Sequence, residues 1–257
     1  MKTAILTGAY GVIGQEIARG LVQAGFHTFL LGRDIVKLKH VQDQFSNAIP
    51  GSNIEAYGID LSRKMQIFDL ADKINSPIDV LVNNAATVPR SLILNEDGIE
   101  MQWATNVLGY YWMIKAFESH LKSSENGRIV NVASYWAGGL DLNDPEFKNR
   151  SYNNDAAYRQ SKQADRMLAY GFADIFGNKV TVNACHSGDA NSKLSNDLGF
   201  GGSVSPHQAA ETPLFLATDD DVSDISGSYF TNCREAHCSF QSDGEGIEKL
   251  MSLCESY

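Results

Sequence analysis

Cysteine is sparse. The four residues Cys185, Cys233, Cys238 and Cys254 in a 257-residue chain are too few and too scattered for a disulfide-stapled secreted scaffold. Basic charge is scarce as well: 21 Lys and Arg against 31 Asp and Glu leave a formal charge of −10. A nucleic-acid-binding surface needs a basic footprint to displace counterions, and the bulk composition offers none. No apolar run approaches the roughly 18 residues needed to cross a bilayer. The opening residues Met1–Thr7 read as a strand, and they lack the charged, apolar and small-residue order of a signal peptide. No linker, repeat or low-complexity tract interrupts the chain. What remains is an ordinary globular mixture, 43% hydrophobic and 20% charged. The expectation is a soluble, cytoplasmic protein with one domain over residues 1–257, no membrane span and no nucleic-acid partner.

Short apolar or β-branched runs alternate with longer segments of helical spacing. Thr3–Thr7, His27–Leu31, Ile54–Ile59, Asp79–Asn83, Arg128–Ala133, Val180–Ala184 and Gly227–Thr231 predict strands. Ile13–Ala24, Ile35–Phe45, Lys64–Ile74, Gly98–Leu121, Asp155–Phe176 and Pro206–Ala217 predict helices, the last opened by Ser205 as cap and Pro206 in the first turn. This alternation implies an α/β fold with a doubly wound parallel sheet of about seven strands and helices on both faces. Two long irregular stretches, Tyr135–Asn154 and Asn191–Ser205, follow strands at their carboxyl ends, where open sheets of this kind bind ligands.

The segment Thr7-Gly8-Ala9-Tyr10-Gly11-Val12-Ile13-Gly14 joins the first strand to the first helix. Gly8 permits a tight turn, Gly11 lets the backbone approach a pyrophosphate, and Gly14 permits close helix–strand packing. The helix start then offers amide donors to phosphate. Tyr10, Val12 and Ile13 belong to the same cradle. The second strand ends Leu31-Gly32-Arg33-Asp34, with Gly32 where an NAD site usually has a carboxylate. Arg33 beside it favours a 2′-phosphate and hence NADP(H), while Asp34 leaves NAD(H) open. Asp60 and Leu61 follow the third strand, where Asp60 is placed to accept from an adenine amino group or to cap the next helix.

Tyr158 and Lys162 stand four residues apart and so share a helix face. Ser134 ends a strand, and Asn106 lies within a long helical segment. A phenol with a pKa near 10 is a poor base at neutrality. A neighbouring ammonium and an oxidised nicotinamide both favour the phenolate, which suits proton exchange with an alcohol or carbonyl oxygen during hydride transfer.

These motifs resemble the short-chain dehydrogenase/reductase superfamily. Asn83-Asn84-Ala85 matches its Asn-Asn-Ala motif, with Ala86 in place of glycine. Asn106 and Gly109 match Asn-x-x-Gly, and Ser134, Tyr158 and Lys162 match the catalytic trio. Val182–Gly188 resembles the segment after the sixth strand, with Ser187 where proline is usual. The resemblance implies a Rossmann-type sheet and an NADP(H)-dependent oxidoreductase interconverting an alcohol and its carbonyl. It implies Asn106, Ser134, Tyr158 and Lys162 as catalytic residues, and Asn84, Ala85, Ser187 and Gly188 among the cofactor contacts. It also implies a homodimer or homotetramer built on the helices bearing Asn106 and Tyr158.

Glycines at 8, 11 and 14 and the 24-residue Ser134–Tyr158 spacing instead suit the extended branch of nucleotide-sugar epimerases and dehydratases. About 95 residues after Lys162 leave little room for that branch's second domain. The compact, retinol-dehydrogenase-like grouping is therefore favoured. A non-catalytic dinucleotide-binding regulator is disfavoured because both Tyr158 and Lys162 are present. Tyr135, Trp136 and Phe200 are candidate substrate contacts and hint at an apolar substrate. Trp103, Tyr110, Tyr111 and Trp112 read as core or subunit contacts. Cys233 and Cys238 lack a second ligand pair, so no metal site is expected.

Overall fold

The computed structural model describes residues 1–257. Eight strands form one sheet: β1 (Thr3–Thr7), β2 (His27–Gly32), β3 (Ile54–Gly58), β4 (Val80–Asn83), β5 (Gly127–Val132), β6 (Val180–His186), β7 (Tyr229–Thr231) and β8 (Arg234–Glu235). Their order is β3-β2-β1-β4-β5-β6-β7-β8, parallel throughout except for the final β7–β8 pair. The helices are α1 (Val12–Gln23), α2 (Ile35–Ala48), α3 (Lys64–Ala71), α4 (Gly109–Ala116), α5 (Glu118–Lys122), α6 (Asn154–Phe176), α7 (Lys193–Asp197), α8 (Pro206–Thr218) and α9 (Gly244–Glu255).

Strand side chains alternate faces with a period of two, and each face has its own apolar layer. Ile5, Leu81 and Ile129 pack on one side with residues of α3, α4, α6 and α9. Ala4, Leu6, Val80, Val82 and Val130 pack on the other with α1, α2 and α8. Both faces are thus covered, which is why the central strands read as nearly continuous apolar runs. The chain direction across the sheet reverses between β1 and β4, and their carboxyl ends flank the opening where ligands of such sheets sit.

Four features differ from the sequence expectations. The Gly98–Leu121 segment is not one regular helix: Trp103–Leu108 forms a π-helical turn leading into α4, and Phe117 separates α4 from α5. The expected loop Asn191–Ser205 contains α7, capped by Ser192. The chain also ends in α9, which buries Ile247, Leu250 and Cys254. An eighth strand is added by a two-residue turn at Asn232 and Cys233, both with positive φ, the conformation that a tight hairpin demands. Trp103, Tyr110, Tyr111 and Trp112 are all buried within this chain's own core. No helix is long and apolar enough to cross a membrane.

Candidate active site

The turn after β1 is built by close backbone approach. Gly8 has φ of +68°, and a Cβ there would lie 2.8 Å from the Ala85 Cα. A Cβ on Gly14 would fall 2.2 Å from the Gly8 carbonyl oxygen. Only glycine fits either position. Gly11 precedes α1 and no side chain caps that helix, so the first-turn amides around Val12, Ile13 and Gly14 are left for a ligand.

Thr7, which sequence reasoning left out of the site, ties this turn to the neighbouring strand. Its hydroxyl accepts from the amides of Asn84 (2.8 Å) and Ala85 (3.1 Å). The Asn84 amide group donates back to the Thr7 carbonyl at 3.0 Å. The two loops flanking the β1–β4 opening are therefore one hydrogen-bonded unit.

At the tip of β2, Tyr10 packs so close to Gly32 that a Cβ on the glycine would lie 2.7 Å from its ring. Arg33 is exposed. Asp34 is engaged elsewhere: it accepts from the Lys37 amide at 3.1 Å as the α2 cap, and its other oxygen pairs with the Lys37 ammonium at 3.2 Å. Asp60 spends one carboxylate oxygen on the Ser62 amide and hydroxyl, both at 2.9 Å. Leu61 turns its side chain into the core, which leaves only its backbone for a ligand.

Eight of the other candidates converge on one cleft at the carboxyl ends of β4, β5 and β6, while Ala85, Asn106, Tyr135 and Trp136 do not line it. Ile13, Asn84, Ser134, Tyr158, Lys162, Ser187, Gly188 and Phe200 all line it. Its free volume is about 90 Å³. Phe200 meets Trp136 edge to face at 5.3 Å and 86°. Tyr135 stands outside, half exposed, with its ring edge-on to His186 at 4.7 Å. His186, Asp189 and Ser192 also line the cleft and were missed as site residues. A larger crevice of about 370 Å³ opens at the opposite end of the sheet, beside Asp79 and Arg128. There Asp79 is already bonded by the Thr3 amide and Ser124, and Arg128 by the Asp219 carbonyl.

Tyr158 is buried, and burial raises its phenol well above the ordinary value, opposed by the Ser134 hydroxyl. The carboxylates of Asp165 and Asp189 push in the same direction as burial. Ser134 is fixed from two sides: its hydroxyl accepts from the Trp136 amide at 3.0 Å, and its carbonyl accepts from the buried Arg166 guanidinium. Arg166 in turn lies flat over Tyr229, 3.6 Å from the ring centre. Lys162, 2% exposed, donates to the Val132 carbonyl at 3.0 Å and to Asp165 at 2.7 Å.

Asn106 sits in the π-helical turn and does not touch Lys162. Its carbonyl oxygen accepts from the Thr87 amide at 2.8 Å, and its amide donates to the Thr87 carbonyl at 3.1 Å and the Ser161 hydroxyl at 3.2 Å. A π-turn re-aims one residue out of helical register, a distortion common at functional sites. Cys233 and Cys238 diverge, the first toward Thr212 and the second buried against Arg166.

A glycine cradle that no side chain could enter, uncapped amides above it and a polar cleft beside it fit a dinucleotide. The family model for short chain dehydrogenases matches residues 2–199. Human retinol dehydrogenase 13 is 30% identical over 97% of this chain and 82% of its own length. An uncharacterized protein from Mycobacterium paratuberculosis has the same fold, with a TM-score of 0.83 at 24% identity over all of this chain and 92% of that one. A metagenomic short-chain oxidoreductase in complex with NADP superposes with a TM-score of 0.70 at 25% identity, over 89% of this chain and 95% of that chain. The chain belongs to the short-chain dehydrogenase/reductase family. It is an oxidoreductase that acts on alcohol or carbonyl groups of a small molecule with a nicotinamide dinucleotide.

Proposed function

We propose that this protein is an NADP(H)-dependent oxidoreductase that interconverts an apolar alcohol and its carbonyl compound, with Tyr158 as the general acid/base. The observation that carries the reading is the convergence of Ser134, Tyr158 and Lys162 in the same cleft as Asn84, Ile13, Ser187 and Gly188. Bound nicotinamide supplies the hydride acceptor or donor. The rest is the work of side chains. Ser134 holds the substrate oxygen against the phenol. In oxidation Tyr158 takes the hydroxyl proton as hydride leaves the adjacent carbon; in reduction it returns that proton to the carbonyl oxygen. Lys162 bonds the nicotinamide ribose and favours the phenolate through its charge. Asn106 secures the loop after β4 against α6 and anchors a water that relays protons toward Lys162.

Arg33 supports NADP(H) over NAD(H). It is exposed at the tip of β2, while the carboxylate that follows it, Asp34, is occupied as a helix cap. Phe200 in the cleft wall with Trp136 against it, and the likeness to retinol dehydrogenase 13, support an apolar substrate. The test is a cofactor-consumption screen over aliphatic, aromatic, steroid and retinoid alcohols and carbonyls, repeated with Tyr158→Phe. The variant is expected to lose at least about a hundredfold in kcat while still binding NADPH. Wild-type turnover in that variant would refute the mechanism.

A further inference from the structure

Lys162 is held from within its own helix by a second buried charge. The carboxylate of Asp165 lies 2.7 Å from the Lys162 ammonium, and the two side chains are 0% and 2% exposed. No hydrogen-bond partner other than Lys162 satisfies Asp165, and its second oxygen is buried and unpaired. The backbone at Asp165 is tied from outside α6 as well. Asn131 on β5 donates to the Asp165 carbonyl at 3.3 Å, and Asn83 on β4 donates to Asn131 at 3.0 Å. A chain of buried polar groups thus runs from the sheet to the residue beneath the lysine.

We propose that Asp165 is a positioning residue for the reaction: it draws the Lys162 ammonium back toward the Val132 carbonyl and offsets part of its charge, so that Lys162 favours the Tyr158 phenolate less than a lone ammonium would and proton donation to a carbonyl persists to higher pH. The proposal rests on Tyr158 being the proton-exchanging group. Burying a charged pair is costly unless the geometry is good, so a carboxylate buried below the reacting phenol is a poor stabilising device. Its effect falls on the field at Tyr158. A lone ammonium near the phenol favours phenolate, and an ammonium closely paired with a carboxylate does so far less. Consistent with this, Asp165 pushes the Tyr158 phenol upward, and burial raises Asp165 itself to about 7 despite Lys162.

The other groups facing this pair do not supply the missing charge. Tyr110 of α4 presents its ring to the ammonium at 5.0 Å and donates to the Val132 carbonyl. Its phenol, the Cys185 thiol of β6 and the Cys254 thiol of α9 are all pushed up by burial and stay neutral. On the cleft side, Tyr135 is also raised, and Asp189 adds a second negative charge toward Tyr158. Arg166, one turn further along α6, spends its guanidinium on the Ser134 carbonyl and the Tyr229 ring; Lys162 stands 5.9 Å from the Tyr158 ring centre, and Asp165 is its counter-ion.

The experiment follows the Tyr158 ring carbon bearing oxygen by NMR in protein labelled with ¹³C at that position. The Tyr158 signal is assigned by its loss in Tyr158→Phe. In Asp165→Asn it should begin to ionise at least one pH unit lower than in wild type, a tenfold gain in phenolate at fixed pH. Asp165→Glu, which keeps the charge, should restore the wild-type titration. The pH profiles provide a second reading. Asp165→Asn should move the rise in alcohol oxidation and the fall in carbonyl reduction to lower pH by the same amount. If Tyr158 in folded Asp165→Asn titrates as in wild type, the proposal is wrong, whether the cause is deprotonation of Lys162 or a purely structural carboxylate. Because the NMR titration needs no substrate, it can succeed or fail separately from the proposed activity. A shifted Tyr158 in a protein without turnover would sink the function and leave the coupling standing.

Discussion

Trp136 and Phe200 meet edge to face with ring centroids 5.3 Å apart, and Phe200 lines the cleft that contains Tyr158. Trp136 comes from the segment after β5 and Phe200 from the turn after α7, so two separate loops are joined by one aromatic contact. The contact thus reaches the wall of the cleft through Phe200, which keeps a part-exposed ring there.

Phe200→Ala is therefore expected to relax selection by size. With a bulky apolar carbonyl the KM should change by roughly fivefold, in keeping with an aromatic contact of about 1 kcal/mol, while kcat for a small carbonyl changes little. Trp136→Ala should behave in the same way, and the double variant should cost less than the sum of the singles because the rings act on each other. Steady-state kinetics on a size series checks this. Additive effects would mean that the two rings do not act as one unit.

Cofactor choice should separate at adjacent residues. Arg33→Ala should raise the KM for NADPH by at least about tenfold, the scale of one charge-assisted contact, with little change for NADH. Asp34→Ala should leave the NADPH to NADH ratio untouched and lower Tm slightly, since its carboxylate caps α2. Equal losses for both cofactors in Arg33→Ala would overturn the 2′-phosphate assignment.

The glycine cradle gives a prediction with an internal control. In Gly14→Ala the new Cβ would fall 2.2 Å from the Gly8 carbonyl, so the turn must open at the point where a pyrophosphate would lie. NADPH affinity, measured by calorimetric titration, should fall by more than tenfold. Gly25 has φ of +81° and open space around it. Gly25→Ala should lower Tm through backbone strain and leave NADPH affinity unchanged. Similar binding losses in both variants would indicate general destabilisation.

The elements that sequence made legible are those whose pattern is local. Strands β1 to β6 announce themselves by apolar runs, and the turn at Gly8–Gly14 by glycines at a strand-to-helix junction. Strand β8 was invisible because two residues, Arg234 and Glu235, carry no period. Helix α9 does have apolar residues at helical spacing, Ile247, Leu250 and Cys254, but Gly244 and Gly246 in its first turn weaken its propensity. The π-turn at Trp103–Leu108 departs from the 3.6-residue period that would have revealed it. Lys162 and Asp165 are readable as a pair three residues apart on one helix face. Their complete burial is not, because it depends on β5, α4 and α9 packing around them.

Asn106 yields the last prediction, because its contacts separate folding from chemistry. It joins Thr87 after β4 to Ser161 on α6, and Ser161 in turn donates to the Tyr158 carbonyl at 2.8 Å. Asn106→Ala leaves the half-buried Thr87 amide and carbonyl without their side-chain partner and should cost about 1 kcal/mol, seen as a lower Tm. Asn106→Asp keeps the acceptor for the Thr87 amide but loses the donors to the Thr87 carbonyl and to Ser161. It should recover part of the lost Tm while kcat remains at least tenfold down, because the link to the Tyr158 turn is still broken. Thermal melts and kcat measured on the same preparations decide the point. Parallel recovery of both would make Asn106 only a structural clamp, and recovery of Tm alone ties it to the position of Tyr158.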